Sequence, residues 1–417
     1  MIGKILFAFP GQGSQYIGMG KRLCENHKAA SDVFDEASDA ISIDMRKLCF
    51  ESKPEVLTQT NNAQPAILTV SYAMYRTCME ELDLEPDISA GHSLGEISAL
   101  ACAGAITLFD AVRIVRKRGE LMQIASEGNP GKMAAVNTRD FDMLLHICEK
   151  VSGDRDIEKV VVSNINSKTQ NVISGCGKGV EEAVRLLSEN GVKVSQLNVN
   201  APFHSPLMAP AEMAFREELR DYTFAVPRYP VLSNVTGQPY SCADEIPERL
   251  VSQIVSPVRW VECMEFVQKY MVQYGLEVGP GHVLQNLMRS NVSNIKLFAY
   301  DNSADADKFR KALEARYIPF ISRCMGLAVA TPNTNFDAEA YKIGAVKPYK
   351  KLRAMQETIE KENRKASVEE MRSALTLLTD IFATKKVDMA SQNERIKELF
   401  VDTGIGRTLN DFQYTGS

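Results

Sequence analysis

Two glycines, Gly91 and Gly95, bracket His92, Ser93 and Leu94, and a run of helix formers follows at once through Ala99, Leu100, Ala101 and Ala103. A G-x-S-x-G pattern in front of such a run predicts a strand, a sharp turn and a helix, with the serine at the turn and the glycines relieving crowding around it. That unit belongs in an α/β fold built on a parallel sheet. The helix would aim free N–H groups and a positive partial charge at Ser93, which favours an oxyanion. The five-residue pattern also occurs in ordinary turns, so Ser93 reads as a nucleophile only if a base accompanies it.

The chain on either side has the right periodicities. Lys4–Phe9 reads as a strand closed by Pro10-Gly11, and helical patterns follow around Met19–Cys24, Lys28–Ala40, Ala63–Glu81, Ser93–Gly104 and Leu108–Ala125. After Asn129-Pro130-Gly131 the period changes. Met133–Asn137 reads as a strand, Phe141–Val151 as a helix, Val160–Asn164 and Asn171–Gly175 as strands, Val180–Glu189 as a helix and Val192–Val199 as a strand. The order β-α-β-β-α-β is the ferredoxin-like split motif. Strands resume at Val231–Ser233 and Leu276–Val278, with a helix over Arg259–Gln268 between them. The expected organisation is an α/β body from residues 1–127 and 199–311, an inserted small subdomain from 128–198, and a mainly helical extension from 312–417.

Bulk properties exclude several classes. With 417 residues, 45% hydrophobic and 24% charged, the chain is long enough for more than one core. A formal net charge of -5 gives no basic field for nucleic acid. The short basic clusters Arg116–Arg118 and Lys347–Arg353 read as solvated faces. The nine cysteines are scattered with no C-x-x-C pair, which argues against a metal or dithiol site and for reduced thiols in a cytoplasmic protein. The N-terminal apolar run is strand length, lacks a small-residue cleavage site and ends at Pro10, unlike a signal peptide. No segment approaches the roughly 20 apolar residues of a membrane span.

Five histidines are available as a base. His92 adjoins Ser93, but neighbours in such an elbow diverge. His27 sits in a polar segment and reads as exposed, and His146 lies in the insert's helix and reads as structural. His282 lies in the loop Gly279-Pro280-Gly281-His282. His204 follows the insert's last strand in Asn200–Ser205, where the chain returns to the body. The residues themselves do not rank His204 over His282.

Several segments, in order, resemble the malonyl-CoA:acyl carrier protein transacylase family, including the acyltransferase domains of polyketide synthases. They are FPGQGSQ at Phe9–Gln15, QPAI from Gln64, GHSLGE at Gly91–Glu96, AVRIVRKRGELMQ at Ala111–Gln123, APFHS at Ala201–Ser205, SNVTG at Ser233–Gly237, QIVSPVRW at Gln253–Trp260 and EVGPGHVL at Glu277–Leu284. The resemblance spans roughly residues 1–300. It implies a hydrolase-like α/β body with a parallel sheet core and the ferredoxin-like insert. By the resemblance Ser93 is the acylated serine and His204 its base. Gln253 orients the imidazole through its carbonyl oxygen, and the Leu94 and Gln12 N–H groups form the oxyanion hole. Arg118 grips the free carboxylate of a malonyl group, and Asn166 lies near the site. Phe203 goes with malonyl, since a bulky ring there crowds a 2-methyl branch. A guanidinium can pair with a carboxylate through two parallel N–H···O bonds, and a neutral acetyl group would leave that charge unpaired.

The activity implied is transfer of a malonyl group from malonyl-CoA, through an acyl-serine, to the phosphopantetheine thiol of a holo acyl carrier protein. Malonyl-CoA is a substrate, and no cofactor is implied. A freestanding chain with an extension resembles enzymes that act in trans on the carrier domains of a polyketide synthase, and the alternative is loading of a fatty-acid carrier protein. An acyl hydrolase is a rival class, against which Arg118 argues. A non-catalytic scaffold is another, against which the joint presence of Ser93, His204, Arg118 and Gln253 argues.

In the extension, Tyr317–Thr331 reads as strand-like or irregular and Thr331–Asn335 as a loop. Three helices follow: Lys350–Arg364 with a Glu357–Lys361 pair, Ser367–Thr384 with a Ser367–Glu370 capping box, and Ser391–Asp402 with a Ser391–Glu394 capping box. The apolar face Val368, Met371, Leu375, Leu378 and Phe382 reads as core rather than as a docking surface.

Overall fold

The computed structural model describes residues 4–404 apart from 83, 156–157, 198, 200, 293 and 315–317. The strands among them are β1 (Lys4–Phe9), β2 (Ile88–Gly91), β3 (Gly131–Asn137), β4 (Val160–Ile165), β5 (Gln170–Cys176), β6 (Lys193–Gln196), β7 (Val231–Leu232), β8 (Val272–Glu277) and β9 (Lys296–Ala299). Five of them form a parallel sheet in the order β7-β2-β1-β8-β9. The centre is β1, whose residues Ile5–Phe9 are all buried, as an apolar run covered on both faces must be. One face packs on a cluster that includes Trp260, Met264 and Met288 beneath Leu6, Ala8, Ile88 and Ala90.

The register sets the site. Phe9 lies opposite Gly91 and Ala8 opposite Glu277, so β1, β2 and β8 end side by side. Ligands in open α/β sheets bind at this carboxyl edge. The FPGQGSQ segment leaves β1 there, the GHSLGE segment leaves β2 and Asn234 follows β7.

The insert is the second sheet, antiparallel in the order β4-β5-β3-β6. Helices Phe141–Val151 and Gly177–Glu189 cover it around Ala134, Leu144, Ile173 and Leu187, which gives the ferredoxin-like arrangement. Its β4 is tied to the body by backbone: Ile165 N–H donates to the Val258 carbonyl and Val258 N–H to that of Ser163, both at 2.9 Å. The expected strand Val192–Val199 is Lys193–Gln196, with residue 198 outside the described residues. Helices over Met45–Phe50, Glu245–Gln253, Val283–Asn291 and Ser303–Glu314 escape the sequence reading, as does β9, while β2 is the strand that the G-x-S-x-G pattern predicts.

The chain divides into two compact units, with the boundary between Phe309 and Arg310. The second unit is helical: Phe320–Ala330, Lys347–Lys361, Val368–Thr384 and Met389–Thr403 pack around Cys324, Leu352, Leu378, Phe382 and Leu399. Three expectations are corrected here. The strand-like stretch is a helix, because Phe320, Ile321, Cys324, Leu327 and Ala328 bury at helical spacing; its first expected residue, Tyr317, lies outside the described residues. The last helix is capped by Asp388, which accepts from Ser391 N–H, so it starts before the predicted Ser391 box. Glu357 pairs with Arg353 rather than Lys361. The Ser367–Glu370 capping box forms as read.

Candidate active site

At the edge of β2 the chain turns through Ser93 into helix Leu94–Cys102. Ser93 has φ 51° and ψ -107°, a strained conformation for a residue with a side chain. The turn is closed so tightly that a Cβ on Gly91 would lie 1.9 Å from the Gly95 carbonyl group, and one on Gly95 would lie 2.0 Å from Phe9 O. Buried Asn234 satisfies the backbone that the turn diverts. Ser93 N–H donates to its Oδ1 at 2.6 Å, and its Nδ2 donates to Gly91 O at 2.7 Å.

Of the histidines, His204 is the one placed against Ser93. His204 Nε2 lies 2.8 Å from Ser93 Oγ, and Nδ1 lies 2.8 Å from the Gln253 carbonyl oxygen. A carbonyl only accepts, so Nδ1 carries the proton and Nε2 is left to accept from the serine hydroxyl. Burial pulls the His204 pKa down to about 3, with the Arg118 charge adding to it. His282 and His146 are exposed, the latter against its structural reading. His27 stands 3.6 Å from Glu81. His92 donates from Nε2 to Asn166 Oδ1 at 2.8 Å, with its ring 5.6 Å from that of Trp260. It therefore links the elbow to the insert.

Arg118 corrects the reading of its cluster as a solvated face. It is 1% exposed, whereas the Arg113 side chain is 49% exposed. Its terminal nitrogens donate to Gln64 Oε1 and Gln253 Oε1, each at 2.9 Å, and to Ser93 Oγ at 3.3 Å. Its Nε–H is buried with no partner among the described residues. Burial lowers its pKa to about 10, so it remains a cation at neutral pH. Arg116 is occupied by Glu120, Asn61 and Asn62.

Behind these three side chains lies a polar network around Gln253, whose other members, Glu96, Asn234 and Tyr240, were given no role by sequence reasoning. Glu96 is fully buried and accepts from Asn234 N–H at 3.0 Å, from Gln253 Nε2 at 2.6 Å and from the Tyr240 hydroxyl. Burial raises its pKa against the pull of these donors. Gln253, also fully buried, spends its second Nε2 hydrogen on Ser93 O at 3.1 Å. Gln64, Glu96 and Asn234 each sit inside a motif quoted above, and that was the only signal for them.

Ser93, His204 and Arg118, in front of this network, open on a cleft of about 640 Å³ between the body and the insert. Gln12, Leu94, Phe203 and Asn166 line it beside Ser93, His204 and Arg118. Leu94 opens its helix, so its N–H is one of the donors with no intrahelical acceptor. The arrangement joins a serine with a neutral base to a nearby fixed cation, which suits acyl transfer of a group that carries its own anion.

Residues 6–309 match the acyl transferase domain family. A malonyl CoA-acyl carrier protein transacylase of Bacillus subtilis is 35% identical over 403 residues, covering 95% of this chain and all of that protein. The extension therefore has a counterpart in that relative. The solved malonyl CoA-acyl carrier protein transacylase of Coxiella burnetii superposes with a TM-score of 0.71 at 33% identity, covering 75% of this chain and 98% of that one. A malonyl-transacylase solved with its type II polyketide synthase acyl carrier protein gives 0.70 at 36% identity, covering 72% and 97%.

Proposed function

This chain belongs to the acyl transferase domain family and is an acyltransferase, and from that premise we propose that it moves a malonyl group from malonyl-CoA to the thiol of an acyl carrier protein. The observation that carries the reading is the buried Arg118 guanidinium 3.3 Å from Ser93 Oγ. In a malonyl thioester one methylene separates the reacting carbonyl from the carboxylate, so a cation this near the nucleophile matches that acyl group.

The reaction runs in two halves. Ser93 Oγ attacks the thioester carbonyl as His204 Nε2 takes its proton. The oxyanion is received by the Leu94 and Gln12 N–H groups, and the intermediate collapses with cleavage of the C–S bond. His204 returns the proton to coenzyme A as it leaves. The carrier thiol then gives its proton to His204 and attacks the acyl-serine carbonyl, and Ser93 recovers the proton as its ester bond breaks. The Gln253 carbonyl holds the imidazole in one tautomer through both halves. Phe203 narrows the cleft against a branched acyl group.

The names of the relatives support a fatty-acid carrier protein at least as well as a polyketide one. The trans-acting polyketide role rests on the extension alone. We assign the protein to the cytoplasm on its free thiols.

Intact mass spectrometry tests the transfer. Malonyl-CoA alone should leave a malonyl adduct on Ser93, which moves to an added holo carrier protein and is absent in Arg118→Ala. No adduct, with release of free acid from an acyl carrier protein, would indicate a hydrolase instead. Rates with fatty-acid and polyketide carrier proteins side by side decide the pathway.

A further inference from the structure

Gln253 presents two faces to the site, and only one orientation of its amide fits both. Its Nε2 faces two acceptors, Glu96 Oε2 at 2.6 Å and Ser93 O at 3.1 Å. Its Oε1 faces a pure donor, the Arg118 guanidinium, at 2.9 Å. Turned over, the amide would set its NH2 against the guanidinium and its oxygen against the carboxylate, two repulsive contacts in a buried place. Glu96 imposes the direction, because a carboxylate offers no donor to a flipped amide. Glu96 is in turn held by Tyr240 and by Asn234 N–H, from the segment that follows β7.

We infer that Glu96 is a positioning residue for acyl specificity: it fixes the Gln253 amide so that the amide oxygen aims Arg118 at the carboxylate of the incoming acyl group. The inference rests on the malonyl reading given above. Glu96 lies behind Gln253 and acts through it. The effect separates from support of the base, since His204 is held by the Gln253 backbone carbonyl and not by its side chain.

The separation gives the test. In Glu96→Gln the residue at position 96 gains a donor, the Gln253 amide can turn over, and Arg118 loses one of its acceptors. Initial rates of Ser93 acylation with malonyl-CoA and with acetyl-CoA are measured on the full chain. The kcat/KM for malonyl-CoA is expected to fall about 10- to 100-fold, with that for acetyl-CoA within about threefold of wild type. Gln253→Met, which removes the amide but keeps the carbonyl on His204, should show the same selective loss and covers the case in which Glu96→Gln does not fold. Equal losses for both thioesters in Glu96→Gln and Gln253→Met overturn the inference. Failure of wild type to form any malonyl adduct overturns the functional reading and this inference with it.

Discussion

His204 Nδ1 donates to the carbonyl oxygen of Gln253 at 2.8 Å, so a neutral group stands where a carboxylate orients the imidazole in a Ser-His-Asp triad. A carboxylate would stabilise the imidazolium, whereas this site does the reverse, with burial and the Arg118 charge both favouring the neutral ring. The His204 ring is therefore held neutral in the free protein, as the proposed base must be. The imidazolium appears only as the serine attacks, next to a substrate that brings its own negative charge.

That relationship fixes a pH dependence. With the His204 pKa drawn down to about 3, acylation of Ser93 by malonyl-CoA should stay level from pH 8 to pH 5, with no acid limb centred near 6.5. Quenched-flow mass spectrometry of the acyl-enzyme reads this directly. Stability carries the matching sign. The unfolded ring takes a proton below its ordinary value of 6.5 while the folded ring refuses it, so this group's contribution to stability is present above 6.5 and lost as pH falls toward 3. Urea unfolding of His204→Asn should show a shallower loss than wild type across that window.

Arg118→Ala should lower kcat/KM for malonyl-CoA by about 100-fold or more, because the substrate carboxylate loses two charge-assisted hydrogen bonds. The acetyl-CoA rate should change far less, so the ratio of the two is the quantity to measure. Removing the charge also removes one cause of the low His204 pKa, which should move upward in this variant. Arg118→Lys keeps the charge but not the forked geometry, and should recover only part of the preference.

Much of this site is legible in the sequence, and the limits have physical causes. The elbow can be read because Gly91 is demanded by the turn's own backbone and Gly95 by contact with β1, constraints local enough to show as a five-residue pattern. The insert can be read because its strands and helices alternate with clear turns between them. Arg118 and Gln253 look like surface residues on pattern alone, since Arg118 follows two other basic residues and Gln253 precedes a loop. Their burial depends on side chains from distant segments, Gln64 and Gln253 around Arg118 and Glu96 against Gln253. The choice of His204 over His282 likewise depends on the fold rather than on either residue's neighbours. In the extension, Phe320, Ile321 and Val329 read as strand formers, yet the helix wins because one face buries against three others.

The strain at Ser93 is measurable by comparing two variants that both lack the hydroxyl. Ser93→Ala keeps a Cβ at φ 51°, and Ser93→Gly removes it. Neither should form an acyl adduct. Ser93→Gly should nonetheless be more stable than Ser93→Ala by about 1 kcal/mol, since glycine tolerates positive φ at little steric cost. Chemical denaturation of the pair reads the difference. Equal stability would mean that the turn is relaxed and that the Asn234 contacts alone hold it.

Gly95 makes a sharper demand, one of space and not of backbone angle. A Cβ there would sit 2.0 Å from Phe9 O and 2.9 Å from Pro10 O, and both are backbone atoms of the buried central strand and its exit. Backbone in this position cannot swing aside as a flexible side chain can. Gly95→Ala must therefore push helix Leu94–Cys102 away from β1, which draws the Leu94 N–H and Ser93 away from His204. The variant should lose about 2 kcal/mol or more of stability and most of its acylation rate together. Gly128→Ala is the control. It lies at the exposed end of helix Leu108–Gly128 with no atom within 4 Å of the new methyl, so a gain of about 0.5 kcal/mol with unchanged rate is expected. If Gly95→Ala folded and acylated like wild type, the elbow would not owe its shape to contact with β1.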